Sequence, residues 1–160
     1  MKKIGLIFFL GFTLAFVSCG QADTFDDMVD ALLDKTVPAI RPGECSVDAV
    51  FIDAREKVEF EVSHIPGAIY VGYDDFNIRT LDSIKKDQEL VVYCSVGYRS
   101  EKIGERLLDA GFQYVTNLYG GIFLWVNEDY EVVDNNGPTT YVHAYNRAWG
   151  QWLEKGEKVY

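Results

Sequence analysis

The chain has 160 residues, 48% of them hydrophobic and 25% charged, enough for one domain with a proper core and ordinary for a globular protein. Its net charge of −10 argues against a nucleic-acid surface, because an acidic protein meets phosphate with repulsion instead of releasing counterions. Small molecules and protein thiols are the expected partners.

The first residues read differently from the rest. Lys2 and Lys3 precede an uncharged apolar segment, Ile4 to Val17, and then Ser18-Cys19-Gly20. Fourteen residues are too short for a helix across a bilayer core of about 30 Å but suit the apolar part of a secretory signal. The small pair around Cys19 resembles the lipobox of bacterial lipoproteins, with Phe16 where that box usually has leucine. This likeness implies a signal peptide over residues 1–18, lipidation of Cys19 as the mature N-terminus, and a bacterial cell-envelope location with membrane contact only through the anchor. An ordinary signal cut near Ala22 is the alternative. Either way residues 1–18 are expected outside the fold, and their loss leaves a net charge of −12.

With Cys19 lipidated, Cys45 and Cys94 are the remaining thiols, which is no disulfide framework for a domain of this size. One Cys45–Cys94 bridge is conceivable outside the cytosol. His64 and His143 are the only histidines and lie far from any CxxC pair, so neither a metal site nor a cofactor is expected.

In chain order, Phe25, Met28, Val29, Leu32 and Leu33 recur at helical spacing, with Asp26 and Asp27 in the first turn and Pro38, Pro42 and Gly43 as terminators. Ala49 to Ile52 reads as a strand buried on both faces. "REKVEFEV" predicts one or two helical turns in which Arg55 and Glu59, four apart, can pair. "AIYVGY" predicts a strand, Asp82 to Lys86 a short helix, and "ELVVYCS" a third strand. "EKIGERLLDAG" predicts a helix with Ile103, Leu107 and Leu108 inward and Gly111 as its stop. "QYVTNL" is a fourth strand and "GGIFLWVN" another short helix. Such alternation over residues 46–127 implies one parallel α/β sheet, whose active groups sit beyond the carboxyl ends of strands, where Asp53 and Cys94 fall. In the tail, residues 141–160, the residues Tyr145, Ala148, Trp149, Trp152 and Leu153 lie on one face of a possible helix, expected to pack on the domain's own core.

"VVYCSVGYRS", Val91 to Ser100, carries the chemistry. A strand delivers Cys94, Gly97 lets the backbone curl, and the amides of a curled loop converge near the sulfur. A helix starting at Arg99 or Ser100 adds its free N–H groups and dipole, with the Arg99 guanidinium nearby. These influences favour the thiolate, which can attack a sulfur bearing a leaving group and keep the transferred atom as a persulfide. Attack on phosphorus or arsenic, or an inert buried cysteine, is also open on the loop alone.

"FIDAREKVEFEVSHIPGAIYV" resembles the first signature of the rhodanese family, D-x-R-x-x-x-E-[FY] followed by H-I-x-G-A. The stretch from "VVYCSVGYRS" to "GGIFLW" resembles its active-site loop and its G-G-[ILMV]-x-x-W ending. The resemblance spans about Val47 to Asn127. It implies a rhodanese-like three-layer α/β sandwich over residues 24–140, with a central, mainly parallel sheet, helices on both faces and the 141–160 extension packed on it. It implies a sulfurtransferase, moving a sulfane sulfur from a donor such as thiosulfate through a Cys94 persulfide to a thiol or cyanide acceptor. Ser95, Val96, Gly97, Tyr98, Arg99 and Ser100 then form the substrate- and persulfide-binding loop, and Asp53, Arg55, Glu59 and His64 support it. Ser63 departs from a frequent glycine. The phosphatases of related fold have one more residue between cysteine and arginine than the four here, so the shorter ring favours sulfur over phosphate or arsenate. "CSVGYRS" is similar to small single-domain members with C-x-x-G-x-R-S, and Arg99 is expected to attract a dianion such as thiosulfate. A non-catalytic redox switch, with Cys94 bridged to Cys45, or a binding module is the alternative.

Overall fold

The computed structural model describes Ala22 and residues 24–160, so the signal segment and Cys19 lie outside the described residues. Helix α1 (Phe25–Leu32) starts at Thr24, whose hydroxyl accepts from the Asp27 N–H at 3.1 Å, and buries Met28 and Val29. Two residues after Val37, the short strand β1 (Ala39–Ile40) forms, which carried no signal because two residues between prolines show no periodicity.

Strand β2 (Val50–Asp53) is followed by α2 (Lys57–Val62), capped by Glu56 and Glu59. The expected Arg55–Glu59 pair does not form. Arg55 precedes the helix, so four-residue helical spacing does not apply to it, and its guanidinium bonds Asp53 instead. Strand β3 (Ile69–Tyr70) follows. The helix expected over residues 82–86 is replaced by a single 3₁₀ turn at Ile78–Leu81, capped by Asn77 and anchored by the buried Leu81. Residues 82–86 contain one apolar side chain, Ile84, too few for an amphipathic face.

Strand β4 (Glu89–Tyr93) runs into α3 (Tyr98–Asp109), which begins one residue earlier than expected. Ile103 and Leu107 face inward, but Leu108 is 37% exposed: it continues the stripe of the buried Glu101 and Gly104 into the last turn, past the α1–β1 connection that covers those two. The buried Glu101 carboxylate accepts from the N–H groups of Asp34 and Thr36 at 2.9 and 2.8 Å, tying α3 to the α1–β1 connection. Gly111, at φ +90°, stops α3. Strand β5 (Tyr114–Leu118) and α4 (Gly121–Asn127) complete the alternation.

The sheet is parallel throughout, in the order β1-β5-β4-β2-β3. Alternate residues of β4 enter opposite cores, Val91 and Tyr93 on one face, Leu90 and Val92 on the other. Helix α3 covers the second face through Ile103 and Leu107, whereas α1, α4 and the C-terminal segment cover the first. The result is a three-layer α/β sandwich with helices on both faces of a parallel sheet.

The last residues differ from the single helix face expected of them. A hairpin, β6 (Val132–Asp134) with β7 (Gly137–Thr139), leads into β8 (Tyr141–His143), the one-turn α5 (Arg147–Gly150) and β9 (Glu157–Val159), which pairs parallel with β8. Gly150 and Gly156 interrupt the helical pattern, and Val142, Ala144 and Leu153 are buried beside Tyr93, Val96 and Phe123.

Candidate active site

The chain changes direction between β2 and β4, whose carboxyl ends lie side by side with Asp53 opposite Tyr93 in register. Such a point in an open parallel sheet leaves a crevice. Cys94 emerges there, one residue past the strand, with only 1% of its surface exposed. Gly97, at φ +118°, folds the chain back so that its N–H points at Cys94 Sγ, 3.2 Å away. Ser100 Oγ lies 3.5 Å from the same sulfur. Its proton is directed to Asn117 Oδ1 at 2.7 Å, the Gly97 carbonyl lies 3.0 Å from it, and Asn117 Nδ2 donates to that carbonyl at 3.0 Å. Asn117, from β5, had no motif to point to it.

The loop's outward side is as specific. The Cys94 and Ser95 carbonyls accept from the N–H groups of Ile122 and Phe123 in the first turn of α4, at 2.9 and 3.1 Å. With these carbonyls turned toward α4, the Gly97 N–H is the loop amide that reaches the sulfur. The approach is so close that a Cβ on Gly121 would sit 2.3 Å from the Cys94 carbonyl oxygen, which accounts for the glycine pair ahead of "IFLW". The first turn of α3, Tyr98 to Ser100, adds amides that have no acceptor within the helix.

Two buried ion pairs brace this ring. Arg55 and Asp53, both fully buried, make contacts of 3.0, 3.2 and 2.7 Å, and Arg55 also donates to the Ser63 carbonyl at 2.6 Å. Glu59 grips Arg99 with both oxygens, at 2.7 and 2.8 Å, while Ser95 Oγ donates to Glu59 and accepts from Arg99. Burial opposes the Arg99 charge, but Glu59 and the Cys94 sulfur outweigh it and hold the guanidinium protonated. Burial likewise opposes ionisation of Glu59, and the Arg99 contacts keep its carboxyl below the usual range. The dianion-attracting role expected of Arg99 thus meets a guanidinium already neutralised by a carboxylate.

His64 is engaged elsewhere. Its Nδ1 lies 3.0 Å from the Phe60 carbonyl, its ring stacks on Phe60 at 4.0 Å, and its backbone pairs with Val133. That is a bracing position for the turn after α2. Val96 is buried in the first core and Tyr98 stands exposed at the rim.

Above Cys94 lies a cleft of about 120 Å³, bounded by Leu32, Cys94, Ser95, Val96, Tyr98, Arg99, Tyr145 and Trp149. Its far wall comes from the C-terminal segment, with the Tyr145 ring 5.1 Å from the Arg99 guanidinium. The spacing of Tyr145 and Trp149 was visible, but the buried face it suggested is a cleft wall instead. Cys45 is remote from all this. It sits beside Glu89 at the amino end of β4, the far end of a strand of about 16 Å, whereas a disulfide needs Cα atoms within about 7 Å. Both cysteines are free thiols.

Comparison with known proteins agrees with the geometry. Curated relatives include a tRNA uridine(34) hydroxylase of Hamiltonella defensa, 40% identical over 49% of this chain and 24% of that protein. An adenylyltransferase and sulfurtransferase, UBA4, of Meyerozyma guilliermondii is 35% identical over 57% of this chain and 22% of that protein. The chain thus spans about a quarter of the length of these relatives. Among solved structures, the BH2092 protein of Bacillus halodurans superposes with a TM-score of 0.57 at 23% identity, covering 70% of this chain and 88% of that one. A thiosulfate sulfurtransferase of Pseudomonas aeruginosa gives a TM-score of 0.57 at 23% identity, over 81% of this chain and 25% of that one. At those identities the likeness concerns the fold. Residues 41–128 match the description Rhodanese-like domain, and the chain belongs to that family.

Proposed function

We propose that the protein is a sulfurtransferase in which the Cys94 thiolate attacks a sulfane sulfur, releases the donor's remainder with the bonding electron pair, and carries the sulfur as a persulfide. A thiol or another thiophilic acceptor then attacks the outer sulfur and returns the thiolate. The observation that carries this reading is the Gly97 N–H aimed at Cys94 Sγ from 3.2 Å at the start of α3, with the Ser100 hydroxyl oxygen 3.5 Å from the same sulfur. Charge on a sulfur there is met by the fixed Gly97 N–H and by the helix terminus, which need no reorganisation during the reaction. The four-residue spacing to Arg99 supports sulfur over the larger phosphoryl group. The tRNA in the names of some relatives does not suit a chain of net charge −10 that covers a quarter of their length.

The test is to incubate the purified full-length chain with thiosulfate, mercaptopyruvate, polysulfide or a thiosulfonate and to weigh it intact. One added sulfur atom, absent in Cys94→Ser and removed by a thiol, is expected. No adduct with any donor would sink the proposal.

We further propose export and lipid anchoring through Cys19, supported by Lys2, Lys3, the apolar segment and Ser18-Cys19-Gly20. Metabolic labelling with palmitate in a bacterial host should mark the wild type. A Cys19→Ala chain labelled to the same extent would overturn the anchor.

A further inference from the structure

The mouth of the Cys94 site is built for something other than a small dianion. Three of the five Arg99 N–H groups already donate to Glu59 and Ser95, leaving a charge pair with no net attraction for an anion. The acidic chain as a whole repels anions further, a dianion most of all. Around the sulfur the cleft presents Leu32, Val96 and three aromatic rings, Tyr98, Tyr145 and Trp149. Its volume of about 120 Å³ is close to the roughly 150 Å³ of an apolar cavity that takes up benzene.

Tyr145 is held there at a conformational cost. Its φ of +62° lies in the left-handed region that a bulky residue avoids, and the turn is secured by its N–H donating to His143 Nδ1 at 3.1 Å. Strain of this kind persists where surrounding structure over-determines it. The outcome is a ring set over Arg99 at the rim of the cleft instead of packed in the core.

We infer that the sulfur donor of this site is an organic sulfane compound, a persulfide or thiosulfonate whose apolar, ring-sized group rests among Tyr145, Trp149 and Leu32, and that thiosulfate is a poor substitute. The inference rests on the sulfurtransferase reading above. With a thiosulfonate, the Cys94 thiolate bonds to the sulfane sulfur, the donor's S–S bond breaks, and its electron pair leaves on the sulfinate. With a persulfide the pair leaves on the organic thiolate. No outside oxidant or reductant enters.

Three probes share this chemistry and separate the contributions. Benzenethiosulfonate carries one charge and a ring, methanethiosulfonate one charge and no ring, and thiosulfate two charges and no ring. Initial rates of Cys94 loading by the full-length chain, with a thiol as acceptor, give kcat/KM for each. Burial of a ring predicts a kcat/KM about tenfold to a hundredfold higher for benzenethiosulfonate than for methanethiosulfonate, with thiosulfate lowest. Trp149→Ala and Tyr145→Ala should each lower the benzene-to-methane ratio, and a ratio is insensitive to the fraction of folded protein. Equal values for the two thiosulfonates, a thiosulfate value at or above that of benzenethiosulfonate, or an unchanged ratio in both variants would each overturn the inference while leaving sulfur transfer intact. Loading by none of the probes would instead overturn the sulfurtransferase reading itself.

Discussion

Glu59, in the first turn of α2, holds Arg99, in the first turn of α3, through two parallel contacts of 2.7 and 2.8 Å that close over Ser95 and the start of the Cys94 loop. The pair joins two helices that meet at the carboxyl ends of neighbouring strands, so the loop's shape depends on a residue forty positions upstream.

Glu59 also sets an acid sensitivity. Burial pushes its carboxyl up, but the Arg99 contacts win and hold it below its ordinary value. The ionised form therefore stabilises the fold above the unfolded carboxyl value of about 4.3, and this stabilisation is lost as pH falls through the lower folded-state value. Glu59→Gln should destabilise by about 3 kcal/mol at neutral pH, because it leaves a buried guanidinium without its partner. Urea titrations should show the gap closing at acid pH. A constant gap from pH 7 to acid would contradict the assignment.

Ser100→Ala should slow sulfur loading of Cys94 by about tenfold, the effect of losing the hydroxyl whose bond to Asn117 fixes the Gly97 turn beside the sulfur. Because Ser100 Oγ also lies 3.0 Å from the Gly97 carbonyl, Ser100→Thr is the informative companion. Stopped-flow loading rates that fall in the alanine variant and recover in part with threonine are expected.

Two glycines with positive φ separate backbone strain from crowding. Gly111 has open space where a Cβ would be, so Gly111→Ala should cost only about 1 kcal/mol. Gly121 would drive a Cβ into the Cys94 and Ser95 backbone, and Gly121→Ala should cost about 3 kcal/mol and displace the sulfur from its donors. Thermal unfolding gives the first difference and Cys94 loading in the folded variant the second.

Cys45 should be a slow thiol. Burial, with Glu89 and Glu44 beside it, pushes its thiol up to about 11, leaving about one part in a thousand as thiolate at pH 8. Its folded-state value lies above the unfolded value of about 8.5, so its contribution to stability is present below that pH and is lost as pH rises toward 11. Alkylation of native protein, mapped by peptide mass, should leave Cys45 unmodified at pH 8 and modify it near pH 11. Cys45→Ser should load sulfur like the wild type, since the two thiols sit at opposite ends of β4.

Elements with their own repeating pattern were legible from residue order. The apolar runs that became β2, β4 and β5 and the helical spacing of α1 and α3 each encode their structure within about a dozen residues. Short or weakly patterned pieces were not. Strand β1 exists because the edge of β5 offers it hydrogen bonds, and α5 is one turn because β8 and β9 pair around it. Leu108 shares a helix stripe with the buried Glu101 and Gly104 yet is exposed, because the cover on that stripe comes from a distant connection that hydrophobicity alone does not reveal.

The same division runs through the site. The Cys94 loop, with Gly97 to turn it and a helix to follow, was readable in ten consecutive residues because turn, strand end and helix start are local matters. The family resemblance pairs Asp53 with Arg55, but helical spacing pointed Arg55 at Glu59 and nothing in the residue order showed that Glu59 takes Arg99. Arg55 goes to Asp53 and Arg99 to Glu59, a choice made by where the chain path brings buried charges that must each find a partner. Nor could spacing tell that Tyr145 and Trp149, some fifty residues past the cysteine, return as the wall of its cleft, because an aromatic stripe buries against whatever surface the folded chain presents to it.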